Sequence, residues 1–227
     1  MNISTCTIPE VNLPIFENLS PEEFDLLAQN TLKVKYKKGE TIFKQGTYAA
    51  HIVYIKTGLA KAYIEGFSEI LVLKIATPGA YLALSTVSDE TKVFPYSAKT
   101  YVDTEVLLIS IDTLRQFAKS NSKFASVIIN QLSDAFNQII GRFYCITHKQ
   151  LYGRLADILL CLSEKIFKSA TFELNFSRQE LSELAKMSYE SVIRMLKKFK
   201  DDGLIQMEGN VITILDSEQL RKISDYG

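Results

Sequence analysis

The sequence predicts an α+β protein in which an N-terminal antiparallel β-sandwich or jelly-roll precedes a long helix and a smaller helical domain. Two changes in hydrophobic period carry this prediction. A short helical segment at residues 21–28 gives way to short runs of alternating apolar residues, and helical spacing returns beyond about residue 110. Turn residues separate the runs, and the strand–helix alternation of a parallel sheet is absent. The 227-residue chain is long enough to bury a core without disulfides or a structural metal.

Composition and charge narrow the class of protein. The 26 Lys and Arg residues balance 26 Asp and Glu residues, so no overall positive field attracts nucleic acid or an anionic membrane. No run approaches ~18 consecutive apolar residues, and the N-terminus lacks a basic region followed by an apolar core. We therefore expect a cytoplasmic protein with no membrane partner.

The first 110 residues are predicted to form the sandwich. Ser20 and Pro21 predict the start of a short helix that runs to Ala28. Short apolar runs follow, separated by turns such as Lys37-Lys-Gly-Glu40 and Thr57-Gly58. These runs predict strands over 32–36, 41–44, 52–55, 59–64, 70–76, 81–84, 96–101 and 105–109.

Residues 111–149 are predicted to form a dimerisation segment. Asp112 opens a short helix to Phe117, and Asn121 can cap a second helix that runs to about Lys149, roughly 42 Å long. Its apolar stripe is spaced almost like a heptad seam, which favours a parallel twofold homodimer over a helix packed only on its own sandwich. The predicted interface consists of Phe124, Ile128, Leu132, Ala135, Ile139, Phe143 and Ile146.

Residues 150–227 are predicted to contain a helix-turn-helix. A helix over about 151–167 and a short strand over 171–174 come first. Ser177 and Glu180 then form a capping-box pattern that begins one helix, and Ser188 begins another that ends near Gly203. Apolar runs over 204–207 and 210–214 predict a hairpin, or wing, after the second helix.

The second helix has the chemistry that DNA reading requires. Residues 188–200 hold four basic side chains and one acid, Glu190. Glu190 and Arg194 share a face at i, i+4, and Arg can bind guanine while Glu accepts from cytosine. The alternative is a solvated ion pair on an exposed helix.

The segment from Arg178-Gln-Glu-Leu to Leu204-Ile205 resembles the helix-turn-helix signature of the Crp/Fnr family of bacterial transcription regulators. The resemblance covers nearly the whole chain. It implies a cyclic-nucleotide-binding-like sensor domain (1–110), a dimerisation helix (111–149) and a winged-helix DNA-binding domain (150–227). It also implies a homodimer on palindromic double-stranded DNA, with RNA polymerase as a partner if the protein is an activator. The implied DNA-binding residues are Arg178, Gln179, Ser188, Tyr189, Glu190, Ser191, Arg194, Lys197 and Lys198.

Two residues of this motif depart from the family pattern. Tyr189 stands where some members have a base-reading Arg, so the outer bases of the half-site should differ. Lys186 stands where many members have a turn Gly, so either the backbone there is left-handed or the turn differs.

The sensor half departs further from the family's cyclic-nucleotide binders. Gly79 and the Ser97-Ala98 pair match their phosphate-binding cassette, but Leu84 and Tyr96 stand at the Glu and Arg positions. A cyclic phosphate would lack its cation, so cyclic AMP is not expected. We predict a pocket for an unknown organic effector, or for none, lined by Gly79, Tyr81, Leu84, Tyr96 and Ser97.

No cofactor, metal site or catalytic site is expected. Only Cys6 lies where the family's iron–sulfur sensors have a cysteine cluster. His51 and His148 leave haem open, although a lone His on a strand is more often a surface residue. Cys145 is predicted to be structural rather than redox-active. The absence of a Ser/His/Asp or Cys/His constellation or a P-loop argues against an enzyme. A regulatory module acting on a protein partner is the alternative function, but it leaves the basic helix unexplained.

Overall fold

A computed structural model describes residues 15–67 and 69–226 of the chain. Cys6, on which the expectation of no iron–sulfur cluster depends, lies outside these residues. The predicted fold class is confirmed, since an antiparallel sandwich precedes a long helix and a winged helix-turn-helix. The described residues form two compact units, one of residues up to 69 with 73–137 and the other of 70–72 with 138–226.

The sandwich consists of two four-stranded sheets preceded by one helix. A 3₁₀ turn (Ile15–Asn18) leads to α1 (Pro21–Gln29), which begins with a capping box between Ser20 and Glu23. The sheet orders are β1-β8-β3-β6 and β2-β7-β4-β5. The strands are β1 (Thr31–Tyr36), β2 (Thr41–Phe43), β3 (His51–Thr57), β4 (Ala60–Glu65), β5 (Ile70–Ala76), β6 (Tyr81–Leu82), β7 (Ser97–Thr100) and β8 (Thr104–Ser110).

The strand predicted over 81–84 is shorter in the structure. Ala83 adopts a left-handed backbone with φ +62°. Its N–H donates to the hydroxyl of Tyr96 at 2.7 Å, so it is not part of the β ladder. The chain then forms a 3₁₀ turn over Leu84–Val87. The prediction was wrong here because a tertiary contact, absent from the local pattern, ends the strand.

Two helices follow the sandwich. They are α2 (Ile111–Ser120) and α3 (Ser122–His148). Asn121 caps α3 as predicted, since its Oδ1 accepts from the N–H of Phe124 at 3.0 Å. In the part of the chain that the structure describes, no helix is both long and apolar enough to cross a membrane.

The first turns of α3 correct the predicted dimer interface. Phe124 and Ile128 are at most 5% exposed and pack in the core of their own sandwich, where the Phe124 ring meets that of Phe117 edge to face. Their side chains are therefore covered within the chain, because the start of α3 lies against the sheets. Leu132, Ala135 and Ile146 are half-buried. Large apolar side chains become exposed further along α3, at Ile129, Phe136, Ile139, Ile140 and Phe143.

The C-terminal unit contains a three-stranded sheet of order β10-β11-β9 surrounded by helices. A π-helical turn (Leu162–Phe167) extends α4. The helix α7 was not predicted, although Asp216 caps its start by accepting from the N–H of Gln219 at 2.8 Å and Leu220 is fully buried. The elements are α4 (Leu151–Cys161), β9 (Thr171–Glu173), α5 (Arg178–Ala185), α6 (Tyr189–Asp201), β10 (Ile205–Glu208), β11 (Val211–Ile214) and α7 (Ser217–Tyr226).

The substitution Phe124→Ala tests the intrachain role of the first turns of α3. Because Phe124 is fully buried, we expect the free energy of unfolding to fall by about 3–5 kcal/mol in urea titrations. Phe24→Ala is the control, since Phe24 is 55% exposed on α1. Equal losses for the two variants would contradict the packing described here.

Candidate nucleic-acid interface

Helix α5 begins with a capping box. Ser177 Oγ accepts from the N–H of Glu180 at 3.1 Å, and Glu180 Oε2 accepts from the N–H of Ser177 at 2.7 Å. Leu181 and Leu184 are fully buried. The predicted DNA-binding residues Arg178 and Gln179 occupy the first turn, where Arg178 is half-buried and Gln179 is exposed. The capping box therefore fixes where these two side chains leave the domain.

The turn between α5 and α6 is left-handed at Lys186, with φ +51° and ψ +55°. This outcome matches the first of the two alternatives that the sequence left open. A residue with a Cβ pays about 1–2 kcal/mol for this conformation. The Lys186 carbonyl accepts from Arg154 Nη1 at 2.9 Å, a contact that helps to hold the turn.

Helix α6 presents one face to the domain core and the other to solvent. Ser188 caps its start, with Oγ accepting from the N–H of Ser191 at 3.2 Å. Val192, Leu196 and Phe199 are buried. The predicted DNA-binding residues Tyr189, Glu190, Arg194 and Lys197 are exposed on the first three turns, together with Ile193, which was not among the predicted residues.

Lys198 differs from the other predicted cations of α6. Its ammonium lies 3.2 Å from a carboxylate oxygen of Asp202 and 6.0 Å from the centre of the Tyr152 ring. Lys198 is nevertheless exposed one turn after Arg194, so its predicted role in DNA binding stays a prediction.

The wing follows α6 as a two-stranded hairpin. Ile205 pairs with Ile214 and Glu208 with Val211, in antiparallel register. Gly209 makes the turn possible with φ +59°. The wing's inner residues Ile205 and Ile212 are buried, so the hairpin is anchored in the core of its unit.

Two arginines that sequence reasoning missed support the helix-turn-helix. Arg154 Nε donates to the carbonyl of Lys149 at 3.1 Å, and its Nη1 donates to the carbonyl of Lys186. Arg142, on α3 and only 2% exposed, donates from Nη2 to the carbonyl of Leu184. Both therefore satisfy carbonyls near the C-terminal end of α5, which lack partners inside the helix. No local sequence signal marks them, since their partners lie 32 and 42 residues away.

A buried ionic cluster joins the end of α3 to α4 and α7. Lys149 Nζ lies 3.0 Å from Asp157 Oδ1 and donates to Ser224 Oγ at 2.7 Å. Cys145 Sγ lies 3.9 Å from Asp157. Burial, followed by the charge of Asp157, raises the pKa of the Cys145 thiol, so the unreactive thiol form is favoured. These contacts support the structural role predicted for this cysteine.

The residues predicted to line an effector pocket make close structural contacts. The Tyr81 hydroxyl accepts from the N–H of Ile15 at 3.2 Å, and burial raises the pKa of Tyr96 to about 12. Ser97 Oγ donates to Glu65 Oε1 at 2.6 Å. Leu84 is buried, and Gly79 turns the chain with φ +92°. The pocket itself stays a prediction.

Lys74 places a cation beside Tyr81, a contact that no local sequence pattern marks. Its ammonium donates to the carbonyl of Tyr81 at 3.1 Å. Burial lowers the pKa of Lys74 to about 8, because the charged form loses hydration. Lys74 lies outside the two cassette positions, Leu84 and Tyr96, that lack the family's Glu and Arg, so the expectation that cyclic AMP does not bind stays a prediction.

Arg115 connects the segment after Leu84 to α2. Its Nε donates to the carbonyl of Val87 at 3.1 Å, and Nη2 donates to the carbonyls of Thr86 and Ser88 at 3.0 Å each. Nη1 lies 3.2 Å from Asp112. Arg115 thereby ties the loop that follows the predicted pocket to the helix that leads into α3.

The two histidines that left haem open lie in different elements. The His148 ring stacks on Tyr144 at 4.6 Å, and His51 lies in β3. Among residues 15–67 and 69–226, no three His, Cys, Asp or Glu side chains are placed to hold a metal ion. A haem site stays untested.

The sequence matches two family models. The model described as a cyclic nucleotide-binding domain matches residues 33–121. The model described as a Crp-like helix-turn-helix domain matches residues 153–223. These ranges correspond to the sandwich with α2 and to the winged helix-turn-helix.

Characterised relatives match along nearly the whole chain. The chain is 26% identical over 221 residues to the transcriptional activator protein anr of Pseudomonas aeruginosa, covering 95% of this chain and 89% of that protein. It is 23% identical over 228 residues to the fumarate and nitrate reduction regulatory protein of Yersinia pestis, covering 96% and 88%. A crystal structure of a transcriptional regulator of the crp/fnr family from Eubacterium rectale shares the fold, with a TM-score of 0.79 at 20% identity over 94% of this chain and 98% of that one.

Lys74 makes the stability of the sandwich depend on pH. Its pKa is about 8 in the folded protein and near 10.5 in the unfolded chain. The unfolded state holds more protons between these values, so the free energy of unfolding should rise with pH across this window. Lys74→Met should raise that free energy by about 1–3 kcal/mol at pH 7, where wild type buries the charge, and by progressively less from pH 8 to 10.

Urea titrations at several pH values measure this effect. Lys35→Met is the matched control, because Lys35 is exposed on β1. A stability gain at Lys74 that stays constant across this pH range would contradict the assignment.

Proposed function

Because the chain belongs to the Crp/Fnr family of transcription regulators, we propose that two copies of it bind a palindromic DNA site through the exposed face of α6. The family is one of transcription regulators rather than enzymes. The recognition helix of each copy would enter one of two successive major grooves, about 34 Å apart.

One observation carries this proposal, namely the exposed pair of Glu190 and Arg194 near the start of α6. They lie one helical turn apart, opposite the buried face of Val192 and Leu196. Arg194 can donate two hydrogen bonds to guanine, and Glu190 can accept from cytosine. This arrangement gives base selectivity without requiring a net positive charge on the whole protein.

The side chains around this pair are suited to phosphates. Lys197 follows Arg194 on the exposed face, and Arg178 and Gln179 lie in the first turn of α5. Such contacts set the register of a protein on DNA without reading the sequence. The hydroxyl of Ser188 is used as a helix cap, so its contribution to DNA binding would come through the position it gives α6.

The exposed stripe of α3 supports a homodimer. Ile129, Phe136, Ile139, Ile140 and Phe143 are 41–63% exposed. Residues 129, 136 and 143 are seven apart, the spacing of a coiled-coil seam. A second copy of the same helix would bury them with twofold symmetry. The proposed seam thus keeps Ile139 and Phe143, with Leu132, Ala135 and Ile146 at its edges, and leaves out Phe124 and Ile128.

The sandwich is proposed to gate DNA binding through an unknown effector that is not cyclic AMP. An effector shifts a conformational equilibrium only through different affinities for the two states. The cyclic-nucleotide-binding-type sandwich supports this role. The Pseudomonas relative is named a transcriptional activator, which supports RNA polymerase as a further partner. Neither an iron–sulfur cluster nor a haem is part of this proposal. We also propose that the protein acts in the cytoplasm.

The substitution Arg194→Ala tests the base-reading role. We expect the specific binding free energy to weaken by about 1–3 kcal/mol, because one bidentate base contact is lost. Fluorescence anisotropy with a selected site and a scrambled site measures this change at a fixed salt concentration. Arg221→Ala is the matched control, since Arg221 is exposed on α7, outside the proposed interface, and pairs with Glu164. Unchanged discrimination between the two DNAs in Arg194→Ala would contradict the proposed function.

The double substitution Phe136→Asp and Phe143→Asp tests the homodimer. Two charges placed in the apolar seam should convert the dimer into a monomer, because they cannot be desolvated without partners. Sedimentation velocity gives the mass. Phe24→Asp, a change at an exposed Phe on α1, should leave the dimer intact. A dimer that persists in the double variant would show that copies associate through another surface.

A further inference from the structure

The exposed face of α6 carries an aliphatic side chain that the packing of the domain does not explain. Ile193 is 45% exposed. Helix α6 packs on its own domain through Val192, Leu196 and Phe199, which are at most 2% exposed. Ile193 is rotated about 100° from Val192 around the helix, toward the solvent side that carries Arg194.

A single exposed isoleucine is ordinary on a protein surface. A functional role for Ile193 is therefore inferred from the residues that surround it on α6. Ile193 lies three residues after Glu190, one before Arg194 and four before Lys197, and all three neighbours are exposed. A β-branched residue gives an exposed helix position less intrinsic stability than Lys, Arg or Glu would. Neither core packing nor helix propensity therefore accounts for an isoleucine at this position.

The apolar surface extends toward the start of the helix. Tyr189 lies one turn before Ile193 in the same row and is 44% exposed. The N-terminal residues of a recognition helix are those that reach base edges. An apolar row thus runs beside the hydrogen-bonding row of Glu190 and Arg194 within the part of α6 that would contact the bases.

The major groove offers one apolar group to such a row, the C5-methyl group of thymine. Resting on the proposed function, we infer that Ile193 is a specificity-determining residue that packs against a thymine methyl group beside the base pair contacted by Arg194. The contact removes both apolar groups from water, and no other base presents a methyl group there. The binding site of this protein should therefore prefer thymine at one position in each half-site.

The experiment removes the methyl group from the DNA and the side chain from the protein. A preferred palindrome is first selected from random DNA with the full chain. Each thymine is then replaced, symmetrically in both half-sites, by deoxyuridine, which lacks only the methyl group. Wild type should lose about fourfold in affinity per half-site at one thymine position. Ile193→Ala should bind the thymine and deoxyuridine forms of that site equally.

Two controls separate this contact from general weakening. Ile64→Ala changes a 37% exposed isoleucine on β4 and should keep the full thymine preference. Arg194→Ala should bind more weakly but still prefer thymine at the same position. The dimer mass and circular dichroism of Ile193→Ala should equal those of wild type, because the side chain is largely outside the core.

Three results would overturn the inference, and they differ in what they leave intact. Wild type that binds thymine and deoxyuridine equally at every position overturns the inference while leaving sequence-specific binding intact. A thymine preference that survives in Ile193→Ala assigns the methyl contact to another residue. Failure to select any preferred sequence would overturn the proposed function, and the role of Ile193 with it.

Discussion

The guanidinium of Arg154 connects the two helix ends on which the geometry of the C-terminal unit depends. It donates to the carbonyl of Lys149, just after α3, and to the carbonyl of Lys186, in the turn before α6. Carbonyls at helix C-termini lack partners inside their own helices. The planar side chain satisfies both of them and sets the distance between them, since its donors point in fixed directions. A lysine, with one flexible ammonium, would not set that distance.

The position of α6 follows from this constraint. The left-handed backbone of Lys186 is costly for a residue with a Cβ. It is tolerated because surrounding contacts determine it, among them the bond from Arg142 to the carbonyl of Leu184. The Ser188 cap then starts α6 directly after the turn. The side chains that would read DNA thus depend on contacts that never touch DNA.

Helix α3 shows why an apolar stripe is ambiguous before the fold is known. Its apolar residues cover more than one face, and the spacing is compatible with packing inside the chain or between copies. The sheets cover Phe124 and Ile128, whereas Phe136 and Phe143 have no such cover. The same helix therefore contributes to an intrachain core at its start and exposes large apolar side chains further on. Periodicity alone could not divide these roles, because it records spacing and not what lies opposite.

The sequence by itself determined the sandwich, the long helix, the caps at Ser177 and Ser188 and the exposed Glu190–Arg194 pair, because these depend on local period and capping chemistry. It also anticipated that Lys186 could be left-handed. Only the tertiary structure decided which part of α3 is covered, where the strand at Tyr81 ends and that Lys74 lies beside Tyr81. It alone revealed Arg142 and Arg154 as supports. These features depend on residues far apart in sequence, whose meeting no local pattern encodes.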